Sequence, residues 1–304
     1  MKLRSTISGI HLFNRQTGFN LLLDEVVLPQ KSWSTAPRQV SIALTNACDL
    51  DCPYCYAPKK PAVIPLELLK KWLIELDQNG CFGIGFGGGE PTLYPWFKEL
   101  CRYAMENTTL AVTMTTHAHN LSDSALSELD GNLNFIRVSM DGVGSTYETL
   151  RKRRFETLLE RIVAIKKVAN FGINYVVNSK TIGDLDSAIE IAEELQCSEF
   201  LLIPEVAAGR GKEINQETLN DLRKWVEDYR GNIPLSISEK SSNGFPISNP
   251  LKFEKGLFSF AHIDASGILK RSSYDLNGIQ ITKDGVIFAL DRLKKIMEDE
   301  EKLK

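Results

Sequence analysis

No apolar run in the 304-residue chain approaches the ~18–20 residues needed to cross a bilayer. The N-terminus, "MKLRSTISGIHLFNRQTG", lacks an apolar signal core and a small-residue cleavage site. A cytoplasmic protein with no membrane partner is the expectation. Charge of one sign is also scarce. The formal net charge of −3 does not announce a nucleic-acid binder, and no such partner is expected. Repeats at solenoid periods and low-complexity stretches are absent. Of six cysteines, none follows Cys197. Without a secretory signal they do not form a disulfide framework. Cys81, Cys101 and Cys197 stand among apolar neighbours, as small buried hydrophobes do.

What is present is ordinary in bulk, with 43% apolar and 25% charged residues. The order is more telling. Strand-like segments recur at 40–45, 82–87, 110–116, 135–140, 173–178 and 200–205, nearly continuous in apolar character, as strands buried on both faces are. Amphipathic stretches separate them, among them "PLELLKKWLIELDQNG" with Pro at its start and Gly at its end. Six such alternations predict a parallel α/β sheet with right-handed crossovers. They are too few for a closed eight-fold barrel. A partial, TIM-like (β/α)6 barrel fits the count, and an open doubly wound sheet competes with it. Residues 1–37 read as an extension with a β-hairpin around "RQTG". Residues 38–231 form the core. From 232 to 304 the alternation stops, and short antiparallel strands ("LSISE", "FSFAHIDASGILKRSS", "IQITKDGVIFAL") and a charged helix form a small α+β appendage.

The segment "TNACDLDCPYCYAPK" (45–59) follows the first core strand, at the sheet edge where α/β proteins place their sites. Cys48, Cys52 and Cys55 suit zinc or an iron–sulfur cluster. Zinc wants a second ligand pair, and no second CxxC exists. A cluster on three thiolates leaves one iron open.

C-x3-C-x2-C with Tyr54 before the last cysteine resembles the signature of the radical S-adenosylmethionine (SAM) superfamily. The resemblance implies one 4Fe–4S cluster on Cys48, Cys52 and Cys55. Its open iron binds the amino and carboxylate groups of SAM and cleaves it to a 5′-deoxyadenosyl radical that abstracts hydrogen from a substrate. Other motifs agree. In "GFGGGEPTLYP" the family's GGEP falls on Gly88, Gly89, Glu90 and Pro91, with Glu90 accepting from the SAM amino group. "VSMDG" is similar to SxDG and places Ser139 and Asp141 near SAM. Arg151 stands where an arginine pairs with the SAM carboxylate. "TTHAHN" (115–120) replaces the family's TNG, putting Thr115 and His117 beside the cofactor. Asn178, at a strand end, is a further SAM contact. His119, Glu205, Arg210, Lys212 and Arg271 are candidates for substrate.

The order of parts resembles members with a C-terminal SPASM or twitch domain. Gly267 matches the turn of their cluster-binding hairpin, but Arg271, Ser272 and Ser273 stand where cysteine is expected. The expectation is one cluster, a peptide substrate of a maturase-like enzyme, and an electron donor such as flavodoxin or ferredoxin. The alternatives are viperin-like chemistry on a nucleotide or other small molecule, served by "RKRRF" and Arg210–Lys212, and a non-catalytic metal-binding module.

Overall fold

The computed structural model describes residues 1–302. Three antiparallel strands open the chain: β1 (Lys2–Thr6), β2 (Gly9–Phe13) and β3 (Asn20–Leu23). The expected hairpin around "RQTG" is β2–β3, and β1 adds a third strand. Arg4 pins this sheet to the rest. Its buried guanidinium donates to Glu254 Oε1 (2.7 Å) and to the carbonyls of Ala36, Gly80 and Phe258.

Six strand–helix units follow. They are β4 (Gln39–Thr45) with α1 (Leu66–Gln78), β5 (Gly83–Gly88) with α2 (Phe97–Asn107), and β6 (Ala111–Thr116) with α3 (Asp123–Leu129). After β7 (Phe135–Ser139) come α4 (Ser145–Arg151) and α5 (Phe155–Ile165), of which the sequence reading lacked α4. Then come β8 (Asn170–Val177) with α6 (Leu185–Glu194), and β9 (Phe200–Pro204) with α7 (Gln216–Asp228). The helices form where apolar residues recur on one face, as with Leu69, Trp72, Leu73 and Leu76 of α1. Ser122 and Asn215 cap α3 and α7 by accepting from the amides of Ala125 and Thr218.

From β4 to β9 each strand lies parallel to its predecessor, and the order never reverses. That separates the two expected topologies. A doubly wound sheet reverses at a switch point and carries helices on both faces. Here right-handed crossovers put every helix on one face, which is the partial barrel. The expected burial on both strand faces holds only in part: the last four residues of β4 are all buried. In β6, β7 and β9 burial alternates along the strand. The helix-covered face is apolar. The other face lines an open concavity and carries Thr113, Thr115, Arg137 and Ser139.

The tail extends this sheet at both edges. β10 (Leu235–Ile237), expected to be antiparallel, pairs in parallel with β9. β11 (Phe260–Ile263) pairs in parallel with β4, and β12 (Ile268–Lys270) and β13 (Ile279–Gln280) continue outward as antiparallel strands. The strand-like "VIFAL" is instead the start of α8 (Val286–Lys302), because the Glu75 carboxylate accepts from the amides of Val286 and Ile287 at 2.8 and 2.9 Å. The last two residues of the expected terminal helix, 303 and 304, lie outside the described residues. No described helix is long and apolar enough to cross a membrane.

Candidate active site at the strand ends

Cys48, Cys52 and Cys55 lie in the loop after β4, unbridged; Cys52 is buried and the others are half-buried. Burial pushes the Cys48 and Cys52 thiols up, away from the thiolate. The Leu50 amide donates to Cys48 Sγ at 3.4 Å. The adjoining glycines of β5 are fixed by closeness to this loop. A Cβ at Gly88, where φ is +115°, would meet the Thr45 carbonyl at 2.5 Å, and one at Gly89 would meet the Ala47 carbonyl at 2.0 Å. The Gly89 and Glu90 amides donate to the Thr45 and Ala47 carbonyls, so the two loops form one backbone unit.

Glu90 is 1% exposed. Its Oε1 accepts from the Thr92 and Thr116 hydroxyls, both at 2.8 Å, and its Oε2 from the His117 amide at 3.0 Å. Thr116 rather than Thr115 reaches Glu90, since alternate residues of a strand face opposite ways. Thr115 and Ser139 face the concavity, half-buried. His117 is buried. Its Nδ1 accepts from the His119 amide (3.2 Å), which assigns the ring proton to Nε2, 2.8 Å from Asp49 Oδ1 and 3.3 Å from Glu90 Oε2. Cys48, Asp49 and His117 offer donor atoms within 4.8 Å of one another. In this tautomer, however, the ring donates between two carboxylates and is no metal ligand. Ala118 occupies the family's glycine position with φ +67°, in the left-handed region that glycine favours. His119 Nε2 lies 2.8 Å from the Tyr147 hydroxyl.

Asp141 is fully buried and gathers three donors: the Tyr54 hydroxyl (2.7 Å), the Val176 amide (2.7 Å) and the Arg151 guanidinium. Burial and the Asp141 charge raise the Tyr54 phenol, keeping it protonated as the donor. Arg151 also lies over the Tyr54 ring, 5.9 Å from its centroid. Its Nε is buried and has no hydrogen-bond partner. Arg153 donates to Asp49 Oδ2 and to the Asp49 carbonyl, both at 3.1 Å. So two cations of "RKRRF" turn inward.

At the ends of β8 and β9, Asn178 donates to Glu205 Oε2 (2.8 Å), and the Lys212 amide donates to Glu205 Oε1 (2.7 Å). Arg210, expected to face substrate, instead turns onto the cysteine loop. Arg271 is half-exposed after β12 and sits 3.5 Å from Asp275. The structure thus brings together Tyr54, Glu90, His117, Asp141, Arg151 and the cysteines, and places Arg271 in a tail loop whose Tyr274 ring meets Tyr56 of the cysteine loop at 5.4 Å. Thr92, Thr116 and Asp49 were missed by the sequence reading, and Arg153 was offered there only as a phosphate cation of "RKRRF". Strand parity pointed to Thr116. Nothing local pointed to Asp49.

The donor set fits an iron–sulfur cluster. Three unbridged thiols share one short loop, and a backbone amide already faces one sulfur. The orphaned Arg151 Nε fits an anionic group such as a carboxylate, since a buried unpaired donor costs about 1–3 kcal/mol.

Comparison with known proteins agrees. The family model "Radical SAM superfamily" matches residues 42–193, half of the chain. The chain is 28% identical to Fe-coproporphyrin III synthase of Methanosarcina barkeri, over 67% of this chain and 52% of that protein. It is 32% identical to the sporulation killing factor maturation protein SkfB of Bacillus subtilis, over 54% of this chain and 40% of that one. The chain spans about half the length of the curated relatives it matches. Streptococcus suis SuiB bound to its precursor peptide SuiA shares the fold, with a TM-score of 0.74 and 16% identity over 95% of this chain and 86% of that one. With the matched segment holding the cysteine loop, the Gly-rich turn and the Asp141 strand end, the chain belongs to the radical SAM superfamily, whose cofactors are a 4Fe–4S cluster and SAM.

Proposed function

We propose that the chain is a radical SAM enzyme acting on a ribosomally made peptide. When bound, the cluster and SAM supply a carbon radical that removes hydrogen from substrate. The chain's own residues do the holding. Cys48, Cys52 and Cys55 ligate iron. Glu90 Oε2 is the acceptor for the SAM amino group, and Arg151 Nε is the donor for its carboxylate. Asp141 keeps Arg151 and Tyr54 in place. The partly buried Asn178–Glu205 pair orders the last strand ends. The concave sheet face, with Thr115 and Ser139, receives substrate.

One observation carries the peptide over a nucleotide. A triphosphate is recognised by unpaired cations. Of the cations offered for it, the arginines already hold carboxylates of this chain, and only Lys152 and Lys212 are left without an ion pair among the described residues. Arg153 holds Asp49 at 3.1 Å, Arg210 holds Asp51 at 2.7 Å, and Arg151 holds Asp141. The SkfB likeness, to a protein named for maturation of a killing factor, supports the same reading. The tail has no cysteine to hold a second cluster, so redox-neutral chemistry, epimerisation or radical rearrangement is favoured. A flavodoxin- or ferredoxin-like donor supplies the electron.

The test uses anaerobically reconstituted protein with SAM and dithionite. About four irons per chain are expected, as for one cubane. A precursor peptide encoded near the gene stimulates 5′-deoxyadenosine release, and a Cys52→Ala variant releases none. Stimulation by nucleoside triphosphates and not by peptide would overturn the peptide reading. Release by Cys52→Ala would overturn the site.

A further inference from the structure

The segment "GRG" at 209–211, in the loop after β9, touches the cysteine loop with all three of its residues. A Cβ on Gly209, where φ is +58°, would meet the Cys55 carbonyl at 2.6 Å and Tyr56 Cα at 2.7 Å. One on Gly211 would first meet the Val206 carbonyl of its own loop at 2.6 Å and would lie 3.3 Å from the Tyr54 carbonyl. Between them the Arg210 amide donates to the Cys55 carbonyl at 3.0 Å. The Arg210 guanidinium donates to the Cys52 carbonyl and lies 2.7 Å from Asp51 Oδ1. One residue therefore caps the carbonyls of two of the three cysteines.

From this we infer that Arg210 is a positioning residue: its guanidinium and amide fix the peptide planes of Cys52 and Cys55, so that the thiols converge before iron arrives and stay converged afterwards. The inference rests on Cys48, Cys52 and Cys55 being the ligands. The geometry sorts its parts. Asp51 is largely exposed, so the ion pair contributes little. The carbonyl contacts lie against buried Cys52 and carry the effect. Lysine keeps the charge but cannot present a planar fork to carbonyl and carboxylate together. Gly209 is the steric condition for this contact.

The experiment challenges reconstituted holoenzyme with a ferrous chelator and follows loss of the cluster's visible absorbance. Arg210→Gln is expected to speed that loss about ten- to a hundred-fold, the usual scale for groups that orient metal ligands. Arg210→Lys falls between wild type and Arg210→Gln, and Asp51→Asn stays near wild type. The electron paramagnetic resonance signal of the reduced cluster with SAM broadens in Arg210→Gln, while the melting temperature of the cluster-free protein is unchanged. Loss from Arg210→Gln at the wild-type rate overturns the inference, and so does an Asp51→Asn effect as large as that of Arg210→Gln. Gly209→Ala provides a second reading should Arg210→Gln not fold: it too loses the cluster faster, and wild-type retention counts against the strap. Cys52→Ala is the separate control, and if it keeps the cluster, it is the ligand assignment that fails.

Discussion

Asp49 and the Cys52 carbonyl are gripped by Arg153 and Arg210, 104 and 158 positions away in sequence. In the C-terminal hairpin, Asp264 instead finds Lys270 at 2.7 Å, and Asp275 accepts from Ser272 three residues back. Both regions are loops at the rim of the same sheet, and both match cluster-binding segments of the family in outline. One is braced by distant side chains around three thiols. The other satisfies its polar residues with local turns where ligands are expected, and reaches the cysteine loop through an apolar contact, the Tyr274 ring on Tyr56 at 5.4 Å. The polar groups of the first loop depend on distant partners, whereas those of the second are met by their near neighbours in sequence.

Asp141→Ala tests that contrast most severely. It leaves Arg151 buried without its carboxylate and removes the acceptor for Tyr54 and Val176. A loss of about 3–5 kcal/mol is expected in urea unfolding. Asp264→Ala in the tail removes a partly exposed pair and a turn acceptor and is expected to cost about 1–2 kcal/mol. Equal losses would erase the contrast.

A pH titration of stability probes a feature the two regions share. Burial pushes His262, on β11, and His119, near the site, down to about 4 from 6.5. A base whose folded value is lowered keeps full stability above its unfolded value, near 6.5. It loses that stability as pH falls toward 4, because the unfolded chain takes up a proton the folded one refuses. His262 contributes a slope of up to about 1.4 kcal/mol per pH unit across that window. His262→Gln flattens the curve there, and an unchanged slope would remove His262 as its source. The smallest effect is expected of Ala118→Gly. Relief of the left-handed backbone (about 1–2 kcal/mol) is offset by unfolded-chain entropy (about 0.4–1 kcal/mol) and a lost buried methyl (about 0.8 kcal/mol). The net is within about 0.5 kcal/mol of zero, and a gain above about 1 kcal/mol would mean that the site stores more strain than its dihedral implies.

The parts legible in the sequence were those whose signal is local. The cysteine spacing, "GGGEP" and "SMDG" are contiguous, and the six strand–helix alternations marked the sheet. Barrel and doubly wound topologies stayed open because periodicity carries no information on which strands adjoin. "VIFAL" read as a strand because its β-branched start outweighs local helix propensity, and the cap that makes it helical is Glu75, 211 residues earlier. The contacts of Arg210 were hidden for the same reason: its partners lie on a loop that only the folded sheet brings near.

The parallel pairing of β11 with β4 has a consequence for how the protein is made. β4 carries the cysteine loop, and until residues 260–263 are available it is the open edge of the growing sheet. On a ribosome the thiols are therefore synthesised about 200 residues before the strand that seals the edge beneath them. The nascent chain passes through a long interval with an unpaired edge and three uncommitted sulfurs, a stage exposed both to mispairing and to oxidation. Iron delivery is best timed after residues 260–263 have emerged, when the strand that mounts the sulfurs has neighbours on both sides.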